Sequence, residues 1–192
     1  MHYVNVTGHP VHADTSGVDL HYTRVAPPKS AGMISLHLSP LVPGHSTSVE
    51  EGGCQLQEDK MVHPLALLAH THSLGSMVQL WRVRGSQWNM MGSVAGQSPQ
   101  SFYPVRGSGL SLEQGDWMAG RCRMVSNRDT VTMHGLASYE EMCNIYMVYW
   151  VEGNQTNLLQ GNTYCISPHQ VSWKTLGLTE AENEDVVGAE FV

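Results

Sequence analysis

The chain has 192 residues, an apolar fraction of 41% and a formal net charge of −7, which suits one domain with a single sizeable core. Its ten Lys and Arg are scattered and offer no basic face for nucleic acid. The longest apolar run, Ile145 to Val151, is about a third of a membrane-spanning helix, so the sequence predicts no membrane span.

The opening residues, MHYVNVTGHP, contain no apolar signal segment. From Met33 to Leu38 apolar and polar residues alternate, with Met33, Ser35 and His37 on one face and Ile34, Leu36 and Leu38 on the other, as a half-buried strand requires. Leu65 to Leu68 is apolar and compatible with a strand. Met77 to Val83 alternates again, Val78 and Leu80 opposing Gln79, and Thr130 to Met133 is a shorter strand candidate. Ile145 to Val151 is rich in β-formers and suits a strand buried on both faces. Pro43-Gly44, Gly52-Gly53, Gly107 to Gly109, Gln114-Gly115-Asp116 and Gly153-Asn154 punctuate these runs as turns. There is no internal repeat. Many short strands without a long 3.6-residue period predict an all-β fold, an antiparallel β-sandwich or jelly roll spanning residues 18–168. Residues 169–192 read as an acidic tail, expected to be mobile.

The four cysteines, Cys54, Cys122, Cys143 and Cys165, include no CxxC pair, which argues against a zinc ribbon or a thioredoxin-like redox site. An even number of widely spaced cysteines reads as two disulfides formed in an oxidising compartment. Three pairings are compatible with the spacing. Sequons at Asn5 and Asn154 agree with a secreted glycoprotein.

Among eleven histidines, His70-Thr71-His72 stands out. On a strand, residues i and i+2 share a face about 6.5–7 Å apart, so two imidazoles leaning inward can share one metal. The same pair could equally be a surface or core polar pair. No nearby Asp or Glu completes a facial triad by spacing. Eleven methionines make a thioether ligand available, and a His/His/Met set is soft enough to favour copper and Cu(I).

The stretch HTHSLGSMVQLWRVRGSQWNMMG, then QSFYPV, the GD–A–RC pattern from Gln114 to Cys122, EEMCNIYMVYW, and the earlier SGVDLHYTRVAPPKSAGM resemble the peptidylglycine α-hydroxylating monooxygenases. These are copper type II, ascorbate-dependent enzymes, and the resemblance is to their C-terminal catalytic domain, from about Ser16 to about Cys165. It implies that His70, His72 and Met142 hold the copper at which oxygen is activated. It further implies that Asn144 and Tyr146 contact the peptide substrate, and that Cys54 pairs with Cys165 and Cys122 with Cys143. The implied chemistry is hydroxylation of the α-carbon of a C-terminal glycine in peptide amidation, using molecular oxygen with ascorbate as reductant.

The chain departs from the family pattern in three respects: Leu68, the separate N-terminal domain and Thr15. Leu68 stands two residues before the first HTH histidine, where the family carries an arginine for the substrate carboxylate, and a bidentate clamp of that kind gives both geometry and energy. The resemblance also implies a separate N-terminal domain with an electron-donating copper held by three histidines. Residues 1–17 read as a remnant of it or a linker, with His2 near its last element, and Thr15 stands where the family has a cysteine. The alternative expectation is a secreted copper- or peptide-binding module that kept the fold but lost coupled turnover.

Overall fold

A computed structural model describes residues 17–107, 109–153, 164–167 and 172–178; His2, Thr15, Asn5 and Asn154 lie outside them. Eleven strands follow one another among the described residues: β1 (Lys29–Leu38), β2 (Leu41–Val42), β3 (Ser46–Gln55), β4 (His63–Thr71), β5 (Gly75–Arg84), β6 (Gln87–Ala95), β7 (Tyr103–Pro104), β8 (Trp117–Ser126), β9 (Thr132–Met133), β10 (Cys143–Glu152) and β11 (Tyr164–Ser167). One sheet runs β11-β1-β10-β4-β7, a second β3-β8-β5-β6, and β2 pairs with β9. All pairings are antiparallel apart from β1 with β11. The fold is an all-β sandwich, in agreement with the sequence.

The core lies between the two large sheets. Ile34, Leu36, Leu67, Ile145 and Met147 from the five-stranded sheet meet Val78, Leu80, Met91, Met118 and Met124 from the four-stranded one. The sheets close on each other at two glycines. A Cβ on Gly120 would collide with Leu36 and Ile145, and one on Gly92 with Leu67, so the missing side chains admit the opposite layer. Both disulfides cross the same gap. Cys54 of β3 bonds Cys165 of β11, and Cys122 of β8 bonds Cys143 of β10, each with Cα atoms 6.1 Å apart. This is the pairing the resemblance implies, and each bridge contributes roughly 2–4 kcal/mol by restricting the unfolded chain.

Two expected strands differ in detail. The Thr130 to Met133 candidate shortens to Thr132–Met133, because the preceding residues turn. His45 N–H donates to the Arg128 carbonyl at 3.1 Å, and the His45 ring meets Asp129 at 2.8 Å. From Ile145 to Val151, strand β10 is fully buried on one face only: Ile145, Met147, Tyr149 and Val151 point into the core, whereas Tyr146, Val148 and Trp150 on the other face are half-buried. Its unbroken apolar run reflects an inner face in the core and an outer face covered partly by its own aromatic side chains. Trp150, for example, stacks on His63 at 3.8 Å between ring centroids.

The expectation of a tail from residue 169 does not hold for residues 172–178. Trp173 is fully buried on the outer face of the four-stranded sheet, where it packs edge-on against Trp81 at 5.1 Å and tilted against Trp88 at 4.7 Å. Its indole N–H donates to the Gly52 carbonyl and its backbone N–H to Glu51, both at 3.1 Å. The Arg121 guanidinium sits 4.2 Å from the ring centroid, a cation–π contact. A single large aromatic residue anchors a segment whose acidic surroundings read as solvated. Replacing Trp173 with Ala should therefore lower stability by about 3–5 kcal/mol, measured by urea unfolding of the oxidised protein. A loss below about 1 kcal/mol would show that the segment contributes little.

Candidate metal centre

Strand β4 carries the first histidine of the HTH triplet. Leu67 and Thr71 turn inward and are buried, which forces Leu68 and His70 onto the outer face. His72 follows immediately after the strand. The two rings lie 5.4 Å apart, nearly perpendicular at 89°. Strand β10 runs alongside with Asn144 opposite His70 and Tyr146 opposite Leu68. Continuing that register by one step past its start brings Met142 opposite His72, beside the pair. A cavity of about 550 Å³ opens here, lined by His37, Leu68, His70, Met142, Asn144 and Tyr146 together with residues of neighbouring loops. Of the residues singled out in the sequence, His70, Met142, Asn144 and Tyr146 thus share one cavity, and His72 abuts it through His70.

The hydrogen bonds around the rings decide which nitrogens remain free. His72 Nδ1 lies 2.9 Å from the Glu140 carbonyl oxygen, which can only accept, so Nδ1 carries the proton. His70 Nδ1 is 2.8 Å from Gln100 Oε1 and likewise donates. In the neutral rings both Nε2 atoms then present bare lone pairs, the arrangement in which an outer partner fixes a ligating imidazole. His70 Nε2 faces the Met142 thioether at 3.2 Å. Two lone-pair donors aimed at each other without an intervening proton repel unless a cation lies between them. A metal ion held by both atoms would relieve that repulsion. The donor set therefore fits a metal, and its softness fits copper. No cluster of three His, Cys, Asp or Glu side chains arranged for a metal occurs among the described residues, so a three-ligand site here depends on the thioether.

The loops that present these ligands are held by their neighbours. Gln97 donates through Nε2 to the His72 and Gly75 carbonyls at 2.7 and 2.9 Å. Arg128 reaches the Ser73 hydroxyl at 2.8 Å and the Thr132 hydroxyl at 3.0 Å. Glu141, fully buried, accepts from the backbone N–H groups of His72, Leu74 and Met142. On the cavity wall, His37 Nδ1 is 3.0 Å from Asn144 Oδ1 and its Nε2 is 2.9 Å from the Ser35 hydroxyl, which leaves Asn144 Nδ2 toward the thioether at 3.5 Å.

Sequence reasoning missed His37, Gln100 and Glu141. His37 was visible as a polar member of an alternating strand. Nothing in the sequence, however, paired that strand with β10 so that His37 falls opposite Asn144. Gln100 opens the QSFYPV motif and Glu141 belongs to EEMC, but their roles need the folded loops.

One copper ion per chain, bound by His70, His72 and Met142, is the expected stoichiometry. X-ray absorption on the Cu(I) form should show two nitrogen scatterers and one sulfur. Met142→Ala should remove the sulfur, and His70→Ala should weaken copper binding at least tenfold. A sulfur signal that survives Met142→Ala would exclude this ligand set.

Residues 29–175 match the family described as "Copper type II ascorbate-dependent monooxygenase, C-terminal domain". The chain is 34% identical over 172 residues to the peptidyl-glycine alpha-amidating monooxygenase of Mus musculus, covering 88% of this chain and 17% of that protein. It is 36% identical over 156 residues to the peptidylglycine alpha-amidating monooxygenase of Rattus norvegicus, covering 79% and 16%. Similarity to the dopamine beta-hydroxylase of Rattus norvegicus is 29% over 164 residues, covering 78% and 26%. The chain thus spans about a sixth of the length of the amidating relatives it matches. With that span and a family match over most of its length, the chain belongs to the copper type II, ascorbate-dependent monooxygenases, through their C-terminal domain.

Proposed function

We propose that this chain is the catalytic domain of a peptidylglycine-type monooxygenase, hydroxylating the α-carbon of a C-terminal glycine as a step in peptide amidation. The observation that carries this reading is the bare Nε2 of His70 facing the Met142 thioether at 3.2 Å at the wall of a peptide-sized cavity. His70, His72 and Met142 would hold the copper, which when bound supplies one electron per Cu(I)/Cu(II) cycle. The chain's own residues position the substrate. Asn144 has its amide orientation set by His37. The Tyr146 hydroxyl, without a hydrogen-bond partner among the described residues, is available to a terminal group of a peptide. Two disulfides fit an oxidising, secretory setting. Among the described residues no helix is long and apolar enough to cross a membrane.

A second reading, a copper- or peptide-binding module without coupled turnover, has one observation in its favour. The residues lining the cavity include no Lys or Arg, and Leu68 faces it. Of the cations that could stand in, Arg121 is paired with Glu51 at 2.7 Å on the other sheet, and Lys60 lines a different cavity with Asp59 and Glu113. A free carboxylate entering the cavity therefore meets no fixed positive charge among its lining residues. Leu68→Arg should tighten binding of glycine-ending peptides at least tenfold, about 1.4 kcal/mol, read by calorimetry against the matching amides. Unmodified protein that strongly prefers the acid would show that some other cation serves.

Hydroxylation of a C–H bond by molecular oxygen consumes two electrons beyond the substrate's own and yields water with the alcohol. One copper cycling once provides one of them. The partner supplying the other is an electron-transfer copper domain of the kind the family resemblance implies. The 192-residue chain alone, given copper, oxygen and ascorbate, should release hydrogen peroxide with little hydroxylated peptide. Adding such a domain should shift oxygen use toward product. The assay compares oxygen consumed, peroxide released and product formed; one product per oxygen over many turnovers by the isolated chain would overturn this expectation.

A further inference from the structure

The two ligand-bearing segments are far apart in sequence, on neighbouring strands of one sheet, and one side chain touches both. Glu141 has no exposed surface, and its carboxylate accepts three backbone N–H bonds. Oε1 takes the His72 N–H at 2.5 Å and the Met142 N–H at 2.8 Å, and Oε2 takes the Leu74 N–H at 2.8 Å. Among the described residues no side-chain cation takes part. Two of the three donors are the amides of His72 and Met142, whose side chains belong to the candidate copper set. The third belongs to the turn that returns the chain from His72 into β5. The backbone of Glu141 is held as well: its N–H donates to the Met133 carbonyl at 2.9 Å, and its own carbonyl accepts from Gly135 N–H at 3.1 Å. On the other side of Met142, Cys143 is bonded to Cys122 in the facing sheet.

We infer that Glu141 is a positioning residue whose carboxylate sets the distance between the Met142 thioether and the histidine pair, and so the strength of the copper–sulfur bond. The inference rests on the His70, His72 and Met142 reading of the centre. A methionine side chain is flexible and its thioether is a weak ligand, so its engagement depends on where its backbone is held. The imidazole rings take their own orienting bonds from Gln100 and from the Glu140 carbonyl. Glu141 fixes the Met142 backbone to the His72 backbone through one shared oxygen. Both Glu141 oxygens are needed for the three bonds. In Glu141→Gln one oxygen becomes an NH2 group, which faces a buried N–H and cannot accept from it.

The test uses the full chain loaded with Cu(I). X-ray absorption and Cu(I) affinity are measured for the unmodified protein, for Glu141→Gln, and for Leu112→Ala, a fully buried core truncation outside the cavity lining. Glu141→Gln should keep the two-nitrogen shell, weaken or lose the sulfur shell, and bind Cu(I) at least tenfold more weakly. Leu112→Ala should lose stability and keep the sulfur shell, which separates positioning from general destabilisation. A folded Glu141→Gln protein with an unchanged sulfur shell and affinity overturns the inference while leaving the ligand set intact. Absence of any sulfur shell in the unmodified protein overturns the ligand set itself, and the inference with it. If Glu141→Gln does not fold, the decision passes to NMR couplings across hydrogen bonds from the His72, Leu74 and Met142 amides to the Glu141 carboxyl carbon. Couplings present in the copper-loaded protein support the inference; couplings absent overturn it.

Discussion

The antiparallel register between β4 and β10 is the constraint on which the rest of the site depends. It sets Asn144 against His70 and Tyr146 against Leu68, bringing together side chains more than seventy residues apart in sequence. A slip of one residue would turn every outward side chain of β10 into the core, exchanging Tyr146 for Ile145. The slip is blocked from both sides. Inward residues of β10 fill the interior of the sandwich, and Cys143 is bonded to the facing sheet directly beside the thioether. The covalent staple and the hydrophobic pattern thus specify the same register.

Much of this was legible in the sequence. Alternation marked β1 and β5, the HTH triplet marked a paired-imidazole face, and the resemblance to copper monooxygenases supplied the distant partner Met142 that spacing alone could not. The pairing of the two disulfides followed from the same resemblance, their number from the cysteine count. What stayed hidden was long-range or depended on context. His37 carries no signature of its own and gains a place only because β1 lies on the other side of β10. Glu141 reads as a surface carboxylate in an acidic dipeptide, and only the folded turn supplies three N–H donors for it. Trp173 lies near an acidic stretch that composition marks as solvated, yet Trp81 and Trp88 make a place for it. The both-faces reading of Ile145 to Val151 failed because aromatic and β-branched residues suit a half-covered face as well as a buried one.

Polar contacts do different work on the two sheets. On the four-stranded sheet, Glu51 joins Arg121 to the segment around Trp173: one oxygen accepts from the guanidinium and the other from the Trp173 backbone N–H. That network closes an aromatic cluster on the outer face of the sheet. On the five-stranded sheet, the amide of Gln100, the carbonyl of Glu140 and the imidazole of His37 set the direction of lone pairs and donors toward the cavity. One network serves cohesion, the other orientation.

The split of β10 into an inner and an outer face also divides the work of the sequence by parity. Odd positions from 143 to 151 fill the interior, and even positions from 146 to 150 face outward. Cavity-facing positions on neighbouring strands, His37 and Leu68 among them, follow the same alternation. A substitution at Tyr146 or Leu68, which line the cavity, changes what it meets without altering core volume, and partly exposed positions of this kind tolerate exchange at about 0.5 kcal/mol or less. The scaffold can therefore take on a different ligand preference through its outward side chains while the interior of the sandwich stays as it is.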